Sequence, residues 1–255
     1  MSRFLRAIGD VLPVVAAGVA FVIAWKILVV VGGYKPFVLP SPETVFARFV
    51  RGWTDGTIAP HAAATLQEIA IGFGVATVLA IAVGYLLARS RPAARLLSPY
   101  IVAAQATPIL ALAPLIALWF GTGLLSKVII CALICFFPIA VSTMVGIQSV
   151  DRELLEMARA YRATPGQRLR LLEIPGALPS IFGGLRVGVT LAVIGAIIGE
   201  WAGADRGLGV LINLARGSLF DTPLLFATLL TIAAIGVALY LLVVLIERRV
   251  VGVRG

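Results

Sequence analysis

The chain has 255 residues, 60% of them hydrophobic and 13% charged, with a formal net charge of +9 and a mean hydropathy of +1.05. A soluble domain cannot hide that much apolar surface, so the bilayer is the solvent and an ordinary globular fold is excluded. The positive charge does not indicate nucleic acid, because the arginines lie in short segments between apolar runs and not on one folded polar face.

A helix needs about 20 apolar residues to cross roughly 30 Å of hydrocarbon. Six segments meet or approach that length: residues 11–31, 65–88, 98–120, 127–147, 181–203 and 222–246. The expected fold is therefore all-α, a six-helix polytopic membrane protein forming one transmembrane domain over residues 1–255.

In the first segment, Lys26 is long enough to snorkel to the nearer surface. Arg3 and Arg6 precede it as in a secretory leader, but the apolar stretch is long and no small-residue cleavage site follows, so it reads as a retained helix. Next, Ser41-Pro42-Glu43 forms a helix start: a cap, a proline at the first position and an acid near the positive end. Val45, Phe46, Phe49, Val50 and Trp53 share one face of that helix. This suits a helix lying in the outer interface and equally one packed on the bundle. His61, ahead of the second span, has no catalytic companions and reads as interfacial.

The third and fourth spans form a hairpin turned by Gly121-Thr122-Gly123. Pro108 and Pro114 loosen the third and leave carbonyls free, while Trp119 and Phe120 suit an interface belt. Cys131 and Cys135 lack zinc-ligand company and redox spacing, and read as small buried hydrophobes. In the fifth span, the uncharged run 187–199 reaches only about 20 Å. Glu200 then lies in the membrane or at its outer margin, where an acid faces a cavity or a partner; an outward interfacial Glu200 beside Trp201 is the alternative. Glu200, Trp201, Gln105 and Thr107 are the candidates for a translocation path.

Orientation follows the basic residues. Arg89, Arg91 and Arg95, then Arg152 to Arg170, and finally Arg248, Arg249 and Arg254 crowd one side, so that side and both termini are cytoplasmic. Lys35, Arg48, Arg51, Arg206 and Arg216 are the sparser outer set.

The longest inner connection is residues 151–180. Residues 151–183 hold five arginines and four acids, too balanced for a simple clamp on lipid headgroups. Residues 151–161 have helix-forming composition and Pro165-Gly166 stops them; a second helical stretch, 167–172, ends before Pro175. Ala158, Ala160, Tyr161 and Ala163 then form a small-residue knob suited to a groove on a soluble partner. An amphipathic loop resting on the membrane fits the same residues.

Glu156-Met157-Ala158, three residues, Arg162, nine residues and Leu172-Glu173-Ile174-Pro175 keep the spacing of a known pattern. It resembles the Glu-Ala-Ala, Gly, Ile-x-Leu-Pro signature of the membrane subunits of ATP-binding-cassette importers. Met157 replaces an alanine and Arg162 the glycine, and the latter implies an unstrained backbone at 162. Leu39-Pro40-Ser41-Pro42, Gln105-Ala106-Thr107-Pro108, Trp119-Phe120-Gly121 and Gly199-Glu200-Trp201 resemble the nitrate, sulfonate, taurine and pyrimidine-precursor permeases, over about residues 37–250. Segments 200–209 and 220–226 are similar to the members handling riboflavin or hydroxymethylpyrimidine and formylaminopyrimidine.

The resemblance implies a type I importer permease fold in the cell inner membrane, surrounded by lipid. It also implies a homodimer, a cytoplasmic ATPase and an extracytoplasmic solute-binding protein, with no cofactor, metal or nucleic acid. The ATPase-coupling loop would comprise Glu156, Ala158, Arg159, Tyr161, Arg162, Pro165, Gly166 and Pro175. No G-x-x-x-x-G-K-[ST] loop occurs, so the chain is not expected to be an enzyme, and ATP hydrolysis falls to the partner. The cargo expected is a small organic solute, riboflavin or a pyrimidine vitamin precursor. Lys26 is the only basic residue well inside a span, which disfavours the alternative anions: sulfonate, taurine or nitrate. An ion-gradient-driven secondary transporter with Glu200 or Glu68 as relay is the alternative of another class, although inverted repeats are not evident.

Overall fold

The structure, a computed structural model, describes residues 2–252, which are helical with short connections and contain no strand. In chain order the helices are α1 (Ser2–Gly32), α2 (Pro42–Thr54), α3 (Ala59–Arg89), α4 (Arg91–Ala106), α5 (Ile109–Phe120), α6 (Leu124–Gln148), α7 (Arg152–Ala160), α8 (Pro165–Arg168), α9 (Ile174–Ala202), α10 (Leu208–Arg216) and α11 (Thr222–Val251). Arg254, assigned above to the inner basic set, lies outside the described residues.

Five helical stretches are long and apolar enough to cross a membrane: Val15–Gly32, Ala59–Arg89, Leu124–Gln148, Pro165–Ala202 and Thr222–Val251. The pair α4 and α5 makes a sixth if counted as one span, bent by 94°. The span expected over 98–120, with its backbone loosened at the prolines, is thus broken into two helices. Thr107 precedes a proline and is extended, with ψ 125°, because the proline ring disfavours helical backbone before it. Pro114, by contrast, is carried inside α5.

The stop expected before Pro175 is absent as well. Between α8 and α9 the chain makes a π turn, Leu169–Glu173, and the Ile174 N–H bonds back to Leu169 O. Widening the turn accommodates the proline without ending the helix, so one helical path runs from Pro165 to Ala202. Helix α10 occupies a stretch read from the sequence as outer loop.

The chain divides into two compact units: up to Ala59 with Leu211–Leu230, and Pro60–Val210 with the chain from Thr231. In the first, α2 starts with Ser41 as cap, Pro42 in its first turn and Glu43 behind it. Val45 is buried, whereas Phe46 and Trp53 are exposed. Lys26 Nζ donates to Glu43 Oε1 at 2.5 Å. The bonded ammonium holds the Glu43 carboxyl down to about 2 from its ordinary 4.5. Arg48 Nε donates to Asp221 Oδ2 at 2.7 Å, and Asp221 Oδ1 accepts the Leu224 N–H of α11 at 2.9 Å. Trp25 stacks on Phe226 with ring centroids 5.8 Å apart.

The second unit is built on the packing of α6 against α9. Cys131 and Cys135 are buried free thiols in a core with Ala76, Ala80, Ile139, Ala192 and Ala196. Lipid is as apolar as leucine, so close backbone approach, not burial from water, supplies the attraction between such helices. Helix α9 meets that need with glycine: a Cβ on Gly195 would lie 2.8 Å from Cys131 Cα.

Candidate functional site

The second unit has a functional candidate at each end. At one end lie Arg89 of α3, Gln148 of α6, helix α7 and Glu173, around a cavity of about 410 Å³. Asp151 caps α7, its carboxylate accepting the Glu153 N–H at 2.8 Å, and no residue of α7 is buried. The helix closes on a reversal. Arg162 N–H donates to Arg159 O and Ala163 N–H to Ala158 O, both at 2.9 Å, with Arg162 at φ +55°.

These two bonds form a Schellman motif whose left-handed residue is Arg162. The unstrained backbone expected at that position is thus corrected: the reversal needs positive φ whichever residue occupies it. Thr164 then opens α8 through a capping box, accepting from Gln167 N at 3.3 Å and donating its own N–H to Gln167 Oε1 at 2.8 Å. Pro165 stands in the first turn of α8, and Gly166 is exposed.

Around this reversal, Tyr161 is 82% exposed and Met157 and Leu154 are also exposed. Glu156 and Arg159 line the cavity, and Ala158 is half-buried. Arg89 reaches Glu173 at 3.2 Å, tying the end of α3 to the π turn. Pro175 belongs to the first turn of α9. The structure thus gathers Glu156, Ala158, Arg159, Tyr161, Arg162, Pro165 and Gly166 on one exposed, doubly capped corner, with Pro175 apart from them in α9.

The path candidates do not converge. Gln105 lines a mainly apolar cavity of about 420 Å³ with Leu87, Pro138, Ser142 and Met144, and Thr107 ends α4, its hydroxyl donating to Ala103 O at 3.0 Å. Glu200 and Trp201 lie instead at the α9–α10 turn. Glu200 is 2% exposed; Thr65 Oγ1 donates to its Oε1 at 2.5 Å and the Gly209 N–H to its Oε2. Thr65 Oγ1 also accepts the Leu208 N–H at 2.9 Å. The carboxylate and hydroxyl therefore cap the start of α10, where helix N–H groups lack intrahelical partners. A Cβ on Gly207, at φ +140°, would collide with this carboxylate. Trp201 Nε1 donates to Gly209 O at 3.1 Å.

His61, read as merely interfacial, sits on the same turn: its Nδ1 lies 3.0 Å from Gly207 N and 2.8 Å from Gly207 O. Two further ionisable groups join them. The Glu68 carboxyl lies against that of Glu200, and Lys127 donates to Thr122 O and Gly123 O. Glu68 and Lys127 are each 4% exposed. Their position at the edges of uncharged runs was the only sequence signal for this cluster.

Comparison with known proteins identifies the family. The family described as "Binding-protein-dependent transport system inner membrane component" matches residues 76–252. The chain is 47% identical to a riboflavin transport system permease protein of Chloroflexus aurantiacus, over 89% of this chain and 84% of that one. It is 38% identical to a formylaminopyrimidine transport permease protein of Halalkalibacterium halodurans, over 80% of each chain. It is 32% identical to a taurine transport system permease protein of Escherichia coli, over 84% of this chain and 80% of that one. An inward-facing structure of the MetNI methionine transporter shares the fold, with TM-score 0.67, 20% identity, and 75% of this chain and 95% of the other covered.

Proposed function

Since the chain belongs to the binding-protein-dependent inner membrane components, the permease subunits of ATP-binding-cassette importers, we propose that it forms the translocation path of a riboflavin importer. The observation carrying the cargo is the 47% identity to a riboflavin permease across 89% of the chain. In this reading the chain acts as a homodimer with two cytoplasmic ATPases and an extracytoplasmic binding protein. Both termini and α7 face the cytoplasm.

Helix α7 is the coupling element. Its exposed Leu154, Met157 and Tyr161 enter an ATPase groove, with Glu156 and Arg159 at the rim. The Schellman reversal at Arg162 and the Thr164 capping box make the corner stiff. Arg89–Glu173 and the continuous 165–202 helical path carry its displacement to α3 and α9. ATP hydrolysis belongs to the partner. Gln105 and Thr107 sit at a break in the α4–α5 span, where backbone polar groups are freed, and are proposed to face the cargo. Glu200 and Trp201 are assigned to holding the outer α9–α10 turn beside that path.

The taurine and sulfonate relatives, at 31–34% identity, support a second cargo reading. Family membership sets aside the gradient-driven carrier. Riboflavin and taurine uptake, measured in cells carrying the whole importer, separates the cargo readings. Riboflavin uptake that is lost with vanadate and survives an uncoupler is expected; taurine uptake alone would overturn the riboflavin assignment.

A further inference from the structure

Glu68 is 4% exposed and its Oε2 is buried without a hydrogen-bond partner. The neighbouring Glu200 carboxyl meets Glu68 through a shared hydrogen bond, but Oε2 is left out of it, and the Glu200 oxygens are also engaged by Thr65 and Gly209. A buried acceptor left without a donor bears the full desolvation penalty, and an ionisable residue in a membrane span marks a functional site.

Glu68 also lines an open cavity of about 280 Å³, together with Gln67, Lys127, Asp205 and Arg206. Of the three donors on the Lys127 ammonium, backbone carbonyls of Thr122 and Gly123 take two. The walls thus place an acceptor beside an ammonium and an amide. That arrangement complements a ring N–H flanked by carbonyls. The volume lies just below the usual range for whole ligands, so it suits one edge of a flat ring system.

The cavity's location gives it a role. It is bounded by the first turns of α3, the α5–α6 turn and the α9–α10 turn. The cavity beside α7 lies at the opposite end of α6, a helix of 25 residues and hence about 37 Å long. If α7 meets the ATPase, this is the end at which cargo arrives.

We propose that the Glu68 cavity is an entry subsite recognising the N–H edge of a nitrogen-heterocyclic cargo, with Glu68 accepting the ring N–H and Lys127 and Gln67 serving the flanking carbonyls. It rests on the cargo reading above. A carboxyl that merely locks helices together would not distinguish cargoes by that N–H.

The test uses the complete importer in proteoliposomes, with its binding protein preloaded with riboflavin or with 3-methylriboflavin, in which a methyl replaces the ring N–H. Preloading removes the binding protein's own selectivity from the comparison. The expected result is a riboflavin-to-analogue rate ratio of roughly tenfold or more for the wild type, falling below about threefold in Glu68→Leu, which keeps the bulk but has no acceptor. An active Glu68→Leu importer with an unchanged ratio overturns the subsite, as does a wild type that handles both equally; the riboflavin reading then stands. No uptake of either compound by the wild type overturns the cargo reading and this one with it. Should Glu68→Leu fail to assemble, Gln67→Leu at the cavity wall replaces it: a ratio reduced at least threefold supports the subsite, and an unchanged ratio rejects it.

Discussion

Arg162 occupies a left-handed backbone position, φ +55°, that glycine adopts without Cβ strain. The Schellman bonds on either side hold it there, so the spacing of the importer signature is kept although its glycine is not. An L-residue in this region costs on the order of 1–2 kcal/mol, part of which glycine loses again through its freer unfolded chain. Arg162→Gly is expected to stabilise the end of α7 by about 1 kcal/mol, seen as roughly fivefold slower exchange of the Ala163 amide. Unchanged or faster exchange would show that the arginine makes compensating contacts.

Glu43 offers a second residue-scale test. Its carboxyl is lowered to about 2, chiefly by the hydrogen bond from Lys26. A lowered carboxyl contributes above its ordinary value of 4.5 and is lost as pH falls toward 2, so the link from α1 to α2 weakens only in that acid window. A ¹³C titration of the labelled Glu43 carboxyl should give a midpoint near 2, and Lys26→Met should move it up toward 4.5. A midpoint indifferent to Lys26 would contradict the contact.

Among elements, α6 and α9 show why small residues matter in a bilayer. Gly195 lies where any Cβ would approach the Cys131 backbone to 2.8 Å, and backbone cannot yield as a side-chain tip can. Gly195→Val is expected to cost about 1–3 kcal/mol by overpacking, measured as a lower unfolding midpoint in detergent; an unshifted midpoint would mean that the helices separate without penalty. The elements were unevenly legible. The cap, proline and acid of α2 state its start outright. The bend at Thr107–Pro108 was legible as a loosened backbone, but its 94° angle depends on packing that periodicity does not encode. Pro175 misled for the same reason: whether a proline stops a helix depends on whether the preceding turn can widen.

For the whole molecule, the coupling corner and the outer cluster stand at opposite ends of the helices they share. Deletion of residues 158–163 removes both Schellman bonds and the exposed Tyr161 while leaving every apolar span intact. Transport is expected to be lost with membrane insertion unchanged, as read by riboflavin uptake beside the amount of protein in the membrane fraction. A purified importer lacking this corner should also fail to retain its ATPase on an affinity column. Normal uptake by the deletion variant would remove α7 from the coupling role.

The order of residues along the chain by itself determined the solvent, the helical class, a count of six spans when α4 and α5 are taken as one, and the signature spacing around Glu156 and Pro175. These are properties of local runs, and hydrophobic length and motif spacing are written along the chain. The tertiary structure decided which polar groups meet. Glu68, Thr65, Lys127 and Glu200 come from three different helices and are separated by as many as 135 residues, as in the Thr65–Glu200 bond. No periodicity links them. Each looks like a stray polar residue at the end of an apolar run until helix packing, governed by the close approach at α9 glycines, brings them to one turn and leaves one carboxylate oxygen without a donor.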